Sequence, residues 1–228
     1  MPFSPLPKVR AQVVAASRRL HQNGWVANHD GNVSVRLKGN RFLITPTAVS
    51  KADVDDSMLI IVDAAGKVLE GRKKPFGELE LHLAVYRARP EADAVLHAHP
   101  PHATAMGLAG APLAPIALPE MVVSLGDKVP TLPKAMPKDP EALKRLEGAF
   151  GQVDAALIAG NGALSMGVDL EQALLRMELV EHYAKILTIA KQWGGVSALV
   201  DADVAKLLDA RRKAGLGPRV PAPEANKK

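Results

Sequence analysis

The chain has 228 residues, of which 47% are hydrophobic but only 4% aromatic, and it has no cysteine, so it can bury an aliphatic core but cannot use disulfides, cysteine-ligated zinc or a thiol nucleophile. Its net charge of +5 resides in residues 204–228, where seven Lys or Arg face only Asp209 and Glu224; a basic end without aromatic side chains is not a nucleic-acid surface. No apolar run is long enough to span a membrane, and the start of the chain lacks the pattern of a signal peptide, so a cytoplasmic protein without membrane or nucleic-acid partners is expected.

Val9, Val13, Ala16 and Leu20 fall at helical spacing and predict a helix over 8–23, stopped by Gly24, with His21 as a surface cation on its last turn. Asn28-His-Asp-Gly-Asn32 is a turn into an alternating strand over 33–37, and Lys38-Gly-Asn40 connects it to a second strand over 41–45. Thr45-Pro-Thr47 breaks that strand. Residues 58–62 form the next one, which Asp63-Ala-Ala-Gly66 turns back into 67–69. Connections this short require antiparallel pairing. Leu79, Leu83 and Tyr86 mark a helix over 78–89, ended by Pro90. Ala94-Val-Leu-His-Ala-His-Pro100 is an apolar strand stopped by proline, with a short helix over 102–108 behind it.

Residues 110–140 are proline-rich and predict irregular strands and loops, Met121-Val-Val-Ser124 among them. A helix over 140–150, a buried strand over 155–159, an Asn161-Gly162 turn and a strand over 163–166 follow. Asp169 caps the longest helix, to Gln192, with Gln172 placed as in a capping box. Its wide apolar stripe predicts core or subunit interface, and His182 reads as a packed or interface residue. A last helix over 201–213 precedes a Gly/Pro-rich end from Gly215 that is expected to be poorly ordered. This pattern predicts one α/β domain over 1–200 with a largely antiparallel sheet, followed by a short helix and basic tail over 201–228.

Alternate residues of a strand share a face, so His97 and His99 project together while Ala98 turns away. Two such imidazoles are half of a divalent-metal site, or equally a hydrogen-bonded pair lining a cleft. The carboxylates nearest a structural break are Glu78 and Glu80. Glu78 opens its helix, where the dipole alone also favours a carboxylate, and His82 lies one turn further on the same face. There is no glycine-rich phosphate loop and no nucleophile elbow. That leaves metal-assisted chemistry on a polar substrate, with carboxylate or imidazole as proton carrier.

Gly31-Asn-Val-Ser-Val-Arg36, Leu43-Ile-Thr-Pro-Thr47, a helix-opening Glu78 and His97-Ala-His99, in this order and spacing across about residues 8–192, resemble the class II aldolase/adducin family. The resemblance implies a three-layer α/β/α sandwich around a largely antiparallel central sheet. It also implies a cyclic homotetramer with active sites between subunits, and a divalent metal: zinc first, with manganese, cobalt or iron as alternatives. It makes His97 and His99 metal ligands, Glu78 the catalytic acid/base, and Gly31, Asn32, Thr47, Gly77 and His29 the groups that hold substrate. The implied reaction makes or breaks a C–C bond in a small polyhydroxy carbonyl compound, a sugar phosphate among the options, through a metal-stabilised enediolate. The alternatives are an epimerase, dehydratase or decarboxylase using the same enediolate, or a non-catalytic adducin-like assembly module.

Two positions depart from the family pattern. Asn161 stands where a third histidine is expected, and an amide oxygen is a weaker zinc ligand than imidazole. Glu78, Glu120 and His102 are the other candidates to complete the site. Phe76-Gly77 stands where the sugar-phosphate enzymes carry hydroxyls, so a non-phosphorylated hydroxy-carbonyl substrate is nearly as well supported as a phosphorylated one.

Overall fold

The computed structural model describes residues 6–134 and 138–218; of the end from Gly215 expected to be poorly ordered, 219–228 lie outside the described residues. The elements run α1 (Leu6–Gln22), β1 (Asn32–Leu37), β2 (Arg41–Ile44), β3 (Ile60–Asp63), β4 (Val68–Glu70), α2 (Leu79–Ala88), β5 (Ala94–Ala98), α3 (Pro101–Leu108), α4 (Pro119–Leu125), β6 (Thr131–Leu132), α5 (Pro140–Phe150), β7 (Ala155–Ile158), β8 (Ala163–Gly167), α6 (Leu170–Gln192) and α7 (Asp201–Lys213). The strands form one sheet in the order β4-β3-β2-β1-β5-β8-β7-β6, antiparallel except for the β6–β7 pair. None of the described helices is long and apolar enough to cross a membrane.

The two-residue period of the strands divides the core in two. Val33, Val35, Leu96 and Leu157 pack with residues of α1 and α6 on one face. Phe42, Ile44, Val95 and Leu164 pack with residues of α2 and α5 on the other. The result is the three-layer α/β/α arrangement expected from the sequence. Because both faces are covered, the central strands are buried almost throughout.

Two local expectations are corrected. Met121-Val-Val-Ser124 belongs to helix α4, where loops and irregular strands were expected. Pro119 presets the first turn, and burial of Met121, Val122 and Leu125 outweighs the strand preference of adjacent valines. The strand expected from Met58 starts at Ile60, because the Asp55 side chain caps a 3-10 turn over Asp56–Met58.

Helix α7, expected as part of a C-terminal extension, is tied into the domain by charge. Its Arg211 is 4% exposed and pairs with the fully buried Asp154, while also donating to the Val123 carbonyl at 2.7 Å. Asp154 is shared with Arg89 at 2.9 Å and Arg176 at 2.6 Å. Burial and the neighbouring guanidinium groups lower the Arg176 pKa to about 10, against the opposing pull of Asp154.

Candidate functional site

The sheet register assembles the site. Asn32 at the start of β1 pairs with His97 near the end of β5, and Ala98 pairs with Ala163 at the start of β8. Ala94, Leu96 and Ala98 face the α1/α6 core, so His97 points to the α2 side. The His97 and His99 rings lie 5.0 Å apart at 73°. Glu78 occupies the N-cap position of α2 but makes no capping bond with its side chain. Its Oε2 instead accepts from Asn32 Nδ2 at 3.4 Å, a long contact. Thus Glu78, Asn32, His97 and His99 come together as the sequence predicts.

Two glycines permit this closeness. Gly31 has φ +67°, and a Cβ there would lie 2.3 Å from Val26 Cγ1 and 3.1 Å from the His97 carbonyl. Gly162, also at φ +67°, would bring a Cβ 2.1 Å from the Ala98 carbonyl oxygen and 2.6 Å from His99 Cδ2. Gly77 is different: a Cβ there would meet open space, so its lack of a side chain is not forced by packing.

His97 is held through one nitrogen, His99 has an aspartate near one nitrogen, and each ring has its other nitrogen buried without a partner among the described residues. His97 Nε2 lies 2.8 Å from the Asn161 carbonyl oxygen, so it carries the hydrogen, and Nδ1 keeps a lone pair. Burial lowers the His97 pKa; the Asn161 bond opposes this, His99 reinforces it, and Glu78 and Asp30 oppose it. His99 Nδ1 stands 3.6 Å from Asp30 Oδ2, whose partner oxygen accepts from the Ala27 amide, and His99 Nε2 is the orphaned nitrogen. Asn32 Oδ1 is also buried without a partner. A histidine oriented through one nitrogen by a carbonyl or carboxylate, with the other left basic, is the arrangement that metal-ligating imidazoles use.

The Asn161 main-chain carbonyl thus bonds His97, a contact separate from the metal ligation expected of its side-chain amide. Neither remote candidate joins the site. His102 Nδ1 is bound to Glu181 Oε1 at 2.8 Å, and Glu120 is exposed on α4. The His29 side chain is exposed, and Thr47 is half-buried with its amide bonded to the Lys74 carbonyl. His182, expected to be packed or at a subunit interface, is exposed on α6 in the single chain. Among the described residues no group of three or more His, Asp or Glu side chains is arranged to hold a metal ion.

Three features were not read from the sequence. Asp30 lies in the turn before Gly31, where an aspartate is commonplace. Lys51 is only 1% exposed, and its Nζ donates to the carbonyls of Val49 at 2.8 Å and His29 at 3.4 Å. Its pKa is lowered by burial and pulled back up by Asp30 and Glu78. The valines around it, Val49 and Val54, were the available sign that this lysine turns inward. The third is a buried chain behind Glu78, in which Ser34 Oγ joins His82 Nδ1 at 2.7 Å and the Tyr86 hydroxyl at 2.9 Å. Beside His99 and Asp30 opens a cavity of about 340 Å³ with the buried Thr104 hydroxyl in its wall.

Known proteins share this architecture. The family model for the Class II Aldolase and Adducin N-terminal domain matches residues 11–188. L-fuculose phosphate aldolase of Escherichia coli O157:H7 is 31% identical over 211 residues, covering 92% of this chain and 96% of that one. Methylthioribulose-1-phosphate dehydratase of Methylococcus capsulatus is 34% identical over 186 residues, 75% of this chain and 89% of its own. The crystal structure of YgbL from Escherichia coli superposes with a TM-score of 0.82 at 29% identity, covering 88% of this chain and 98% of that one. With the fold, the order of site residues and these matches in agreement, the chain belongs to the class II aldolase and adducin family.

Proposed function

We propose that the protein is a metal-dependent enzyme of the aldolase type, a lyase that makes or breaks a C–C bond in a small polyhydroxy carbonyl compound. The observation that carries this reading is the pair of buried imidazole nitrogens without partners among the described residues, one on His97 and one on His99, whose rings lie 5.0 Å apart beside the Asn32 that donates to Glu78. Burial keeps His97 neutral at ordinary pH, as a metal ligand must be.

His97 and His99 would hold the cation, with zinc the first expectation and manganese, cobalt or iron the alternatives; Glu78 or the side chain of Asn161 would complete the set. When bound, the cation supplies Lewis acidity toward a substrate carbonyl oxygen. The Asn161 carbonyl and Asp30 fix the two ring orientations. Glu78 takes the proton from, or returns it to, the carbon next to the carbonyl, and Asn32 Nδ2 steadies its carboxylate. Gly31, Asn32, Thr47, Gly77 and His29 hold the remainder of the substrate around the turn and the start of α2.

A second reading keeps these residues but ends in dehydration, epimerisation or decarboxylation; the 34% identity to a dehydratase favours giving it equal attention. A non-catalytic assembly module has less support, because the proton carrier and both imidazoles are present together. The proposal includes a homotetramer with sites between subunits, which would cover exposed apolar residues such as Leu175, Ile189 and Trp193; sedimentation equilibrium tests it. The activity test is metal-dependent exchange of the α-proton across a panel of ketoses and ketose phosphates. Exchange lost in Glu78→Gln supports the reading, and no exchange with any compound and any of the four metals refutes it. Products with an intact carbon chain, or release of carbon dioxide, would select the second reading.

A further inference from the structure

The buried chain of Ser34, His82 and Tyr86 lies behind Glu78 and has no part in the mechanism above. Tyr86 belongs to the apolar core between the sheet and α2, with Phe42, Phe76 and Val95, and Ser34 and His82 are fully buried beside it. Apolar side chains would pack there without desolvating any polar group. Apolar contact is non-directional, however, whereas hydrogen bonds fix one register of a helix on a strand.

Glu78, His82 and Tyr86 follow one another at four-residue intervals, so they share a face of α2 and extend about 12 Å along it. Val33 and Val35 pack toward α1 and α6, so Asn32 and Ser34 face α2. The two rows meet rung by rung. Asn32 Nδ2 reaches Glu78 at 3.4 Å, and His82 Nδ1 lies 2.7 Å from Ser34 Oγ. The Tyr86 hydroxyl lies 2.9 Å from the same Oγ and 2.9 Å from the Ser34 carbonyl oxygen. One direction gives every hydrogen an acceptor: His82 Nδ1–H to Ser34 Oγ, Ser34 O–H to the Tyr86 oxygen, and Tyr86 O–H to the Ser34 carbonyl. It leaves the lone pair of His82 Nε2 without a partner among the described residues.

The far end of this column is clamped again. Arg36 of β1 donates to the Tyr86 carbonyl at 3.0 Å and stands 4.8 Å from the centre of the Tyr86 ring. At the near end the Phe76 ring, 5.0 Å from that of His82, holds the entry to the helix. Glu78 itself has only the long Asn32 contact and no capping bond from its side chain. Its attachment to the sheet is therefore weaker than that of the two residues below it on the helix.

We infer that Ser34, His82 and Tyr86 are positioning residues of the proposed reaction, which fix the seat of α2 on β1 and so place the Glu78 carboxylate for proton transfer at the carbon next to the carbonyl. They act through Glu78 and take no proton themselves. A slide of α2 by about 1 Å would carry the carboxylate out of line with that carbon. The inference rests on the proposed role of Glu78, but not on the metal or on which bond of the substrate breaks.

The test is α-proton exchange by the full-length, metal-loaded protein carrying Tyr86→Phe, which removes one oxygen two helical turns from Glu78. The rate at saturating ketose falls about 10- to 100-fold while KM stays within about threefold, the split expected when only the placement of the proton carrier changes. Ser34→Ala gives the same split, and the double variant loses little more than either single one, because both break the same column. Exchange by folded Tyr86→Phe within about twofold of wild type would make the column a packing feature and overturn the inference. If wild type exchanges no ketose, the proposed function fails by itself, and the metal-free protein decides whether the column places Glu78. There the Asn32 side-chain amide resonance, identified by its shift in Glu78→Gln, also moves in Tyr86→Phe; a stationary resonance overturns the inference. Should the variants fail to fold, wild type decides: the Ser34 and Tyr86 hydroxyl protons exchange with solvent as slowly as the β1 amides, and rapid exchange of either overturns the inference.

Discussion

Replacing Gly162 by alanine should damage stability and metal binding together, for reasons that can be separated. The residue sits at φ +67°, where an L side chain costs about 1 kcal/mol or more. Its Cβ would also lie 2.1 Å from the Ala98 carbonyl oxygen and 3.0 Å from the Ala98 carbonyl carbon, and backbone atoms cannot rotate away. The turn must therefore separate from the end of β5, adding about 2–3 kcal/mol of overpacking. Gly160 is the internal control: it has φ +71° but would meet only Leu108 Cδ2, at 3.8 Å. Gly160→Ala should cost about 1 kcal/mol and Gly162→Ala about 3–4, a difference of roughly 5–10 °C in Tm for a chain of this size. Because the same displacement pulls the Asn161 carbonyl from His97 Nε2, Gly162→Ala should also lose about 10- to 100-fold in affinity for zinc or manganese, measured by calorimetry. Equal Tm losses in the two variants, or unaltered metal affinity in Gly162→Ala, would refute the idea that this turn is pressed against the histidine strand to orient it.

Asp154→Asn removes the shared anion of three guanidinium groups and should cost about 3–5 kcal/mol in urea unfolding; a loss under 1 kcal/mol would contradict the burial argument. Arg211→Met should release α7 to limited proteolysis while the body of the domain stays resistant. His82 is held neutral by burial, with His97 reinforcing the effect, so its folded pKa lies well below its ordinary value of 6.5. Below about pH 6.5 the unfolded chain gains a proton that the folded chain refuses, so stability falls as the pH falls, by up to about tenfold in the folding constant per pH unit. His82→Asn should flatten the acid slope of the urea midpoint by one proton, and an unchanged slope would mean that His82 titrates normally. Glu78→Gln should cut α-proton exchange by about 10²- to 10⁴-fold without changing the urea midpoint by more than about 0.5 kcal/mol.

Much of this arrangement was legible in the sequence, because strong periodic signals and tertiary packing agree. The helix expected over 201–213 and the strands expected over 33–37 and 94–100, found as Asp201–Lys213, Asn32–Leu37 and Ala94–Ala98, are read from local patterns that burial then satisfies. The 119–125 helix was not legible: adjacent valines among prolines read as extended chain, and only its burial against the rest of the fold makes it helical. The same division holds at the candidate site. His97 and His99 follow from strand alternation and Glu78 from a helix start, while Asn32 was singled out by the family resemblance. Asn161 was read for its side chain, and that its backbone carbonyl also meets His97 was not legible, because sequence carries no direct sign of which carbonyl faces a ring. Lys51 and Asp30 were missed because a lysine in a loop and an aspartate in a turn are ordinary there; the burial of Lys51 and the nearness of Asp30 to it and to His99 single them out.

The most direct test of the account is metal binding by the full chain. Calorimetric titration with zinc, manganese, cobalt and iron(II), together with elemental analysis of protein purified without chelator, should give one divalent ion per chain. The expected result is that His97→Ala and His99→Ala each lose that ion or bind it at least about 100-fold more weakly, while His102→Ala binds as wild type does, since His102 is engaged with Glu181. Wild type that binds none of the four metals, or a His97→Ala, His99→Ala double variant that binds as tightly as wild type, would contradict the assignment of the two buried imidazoles as metal ligands.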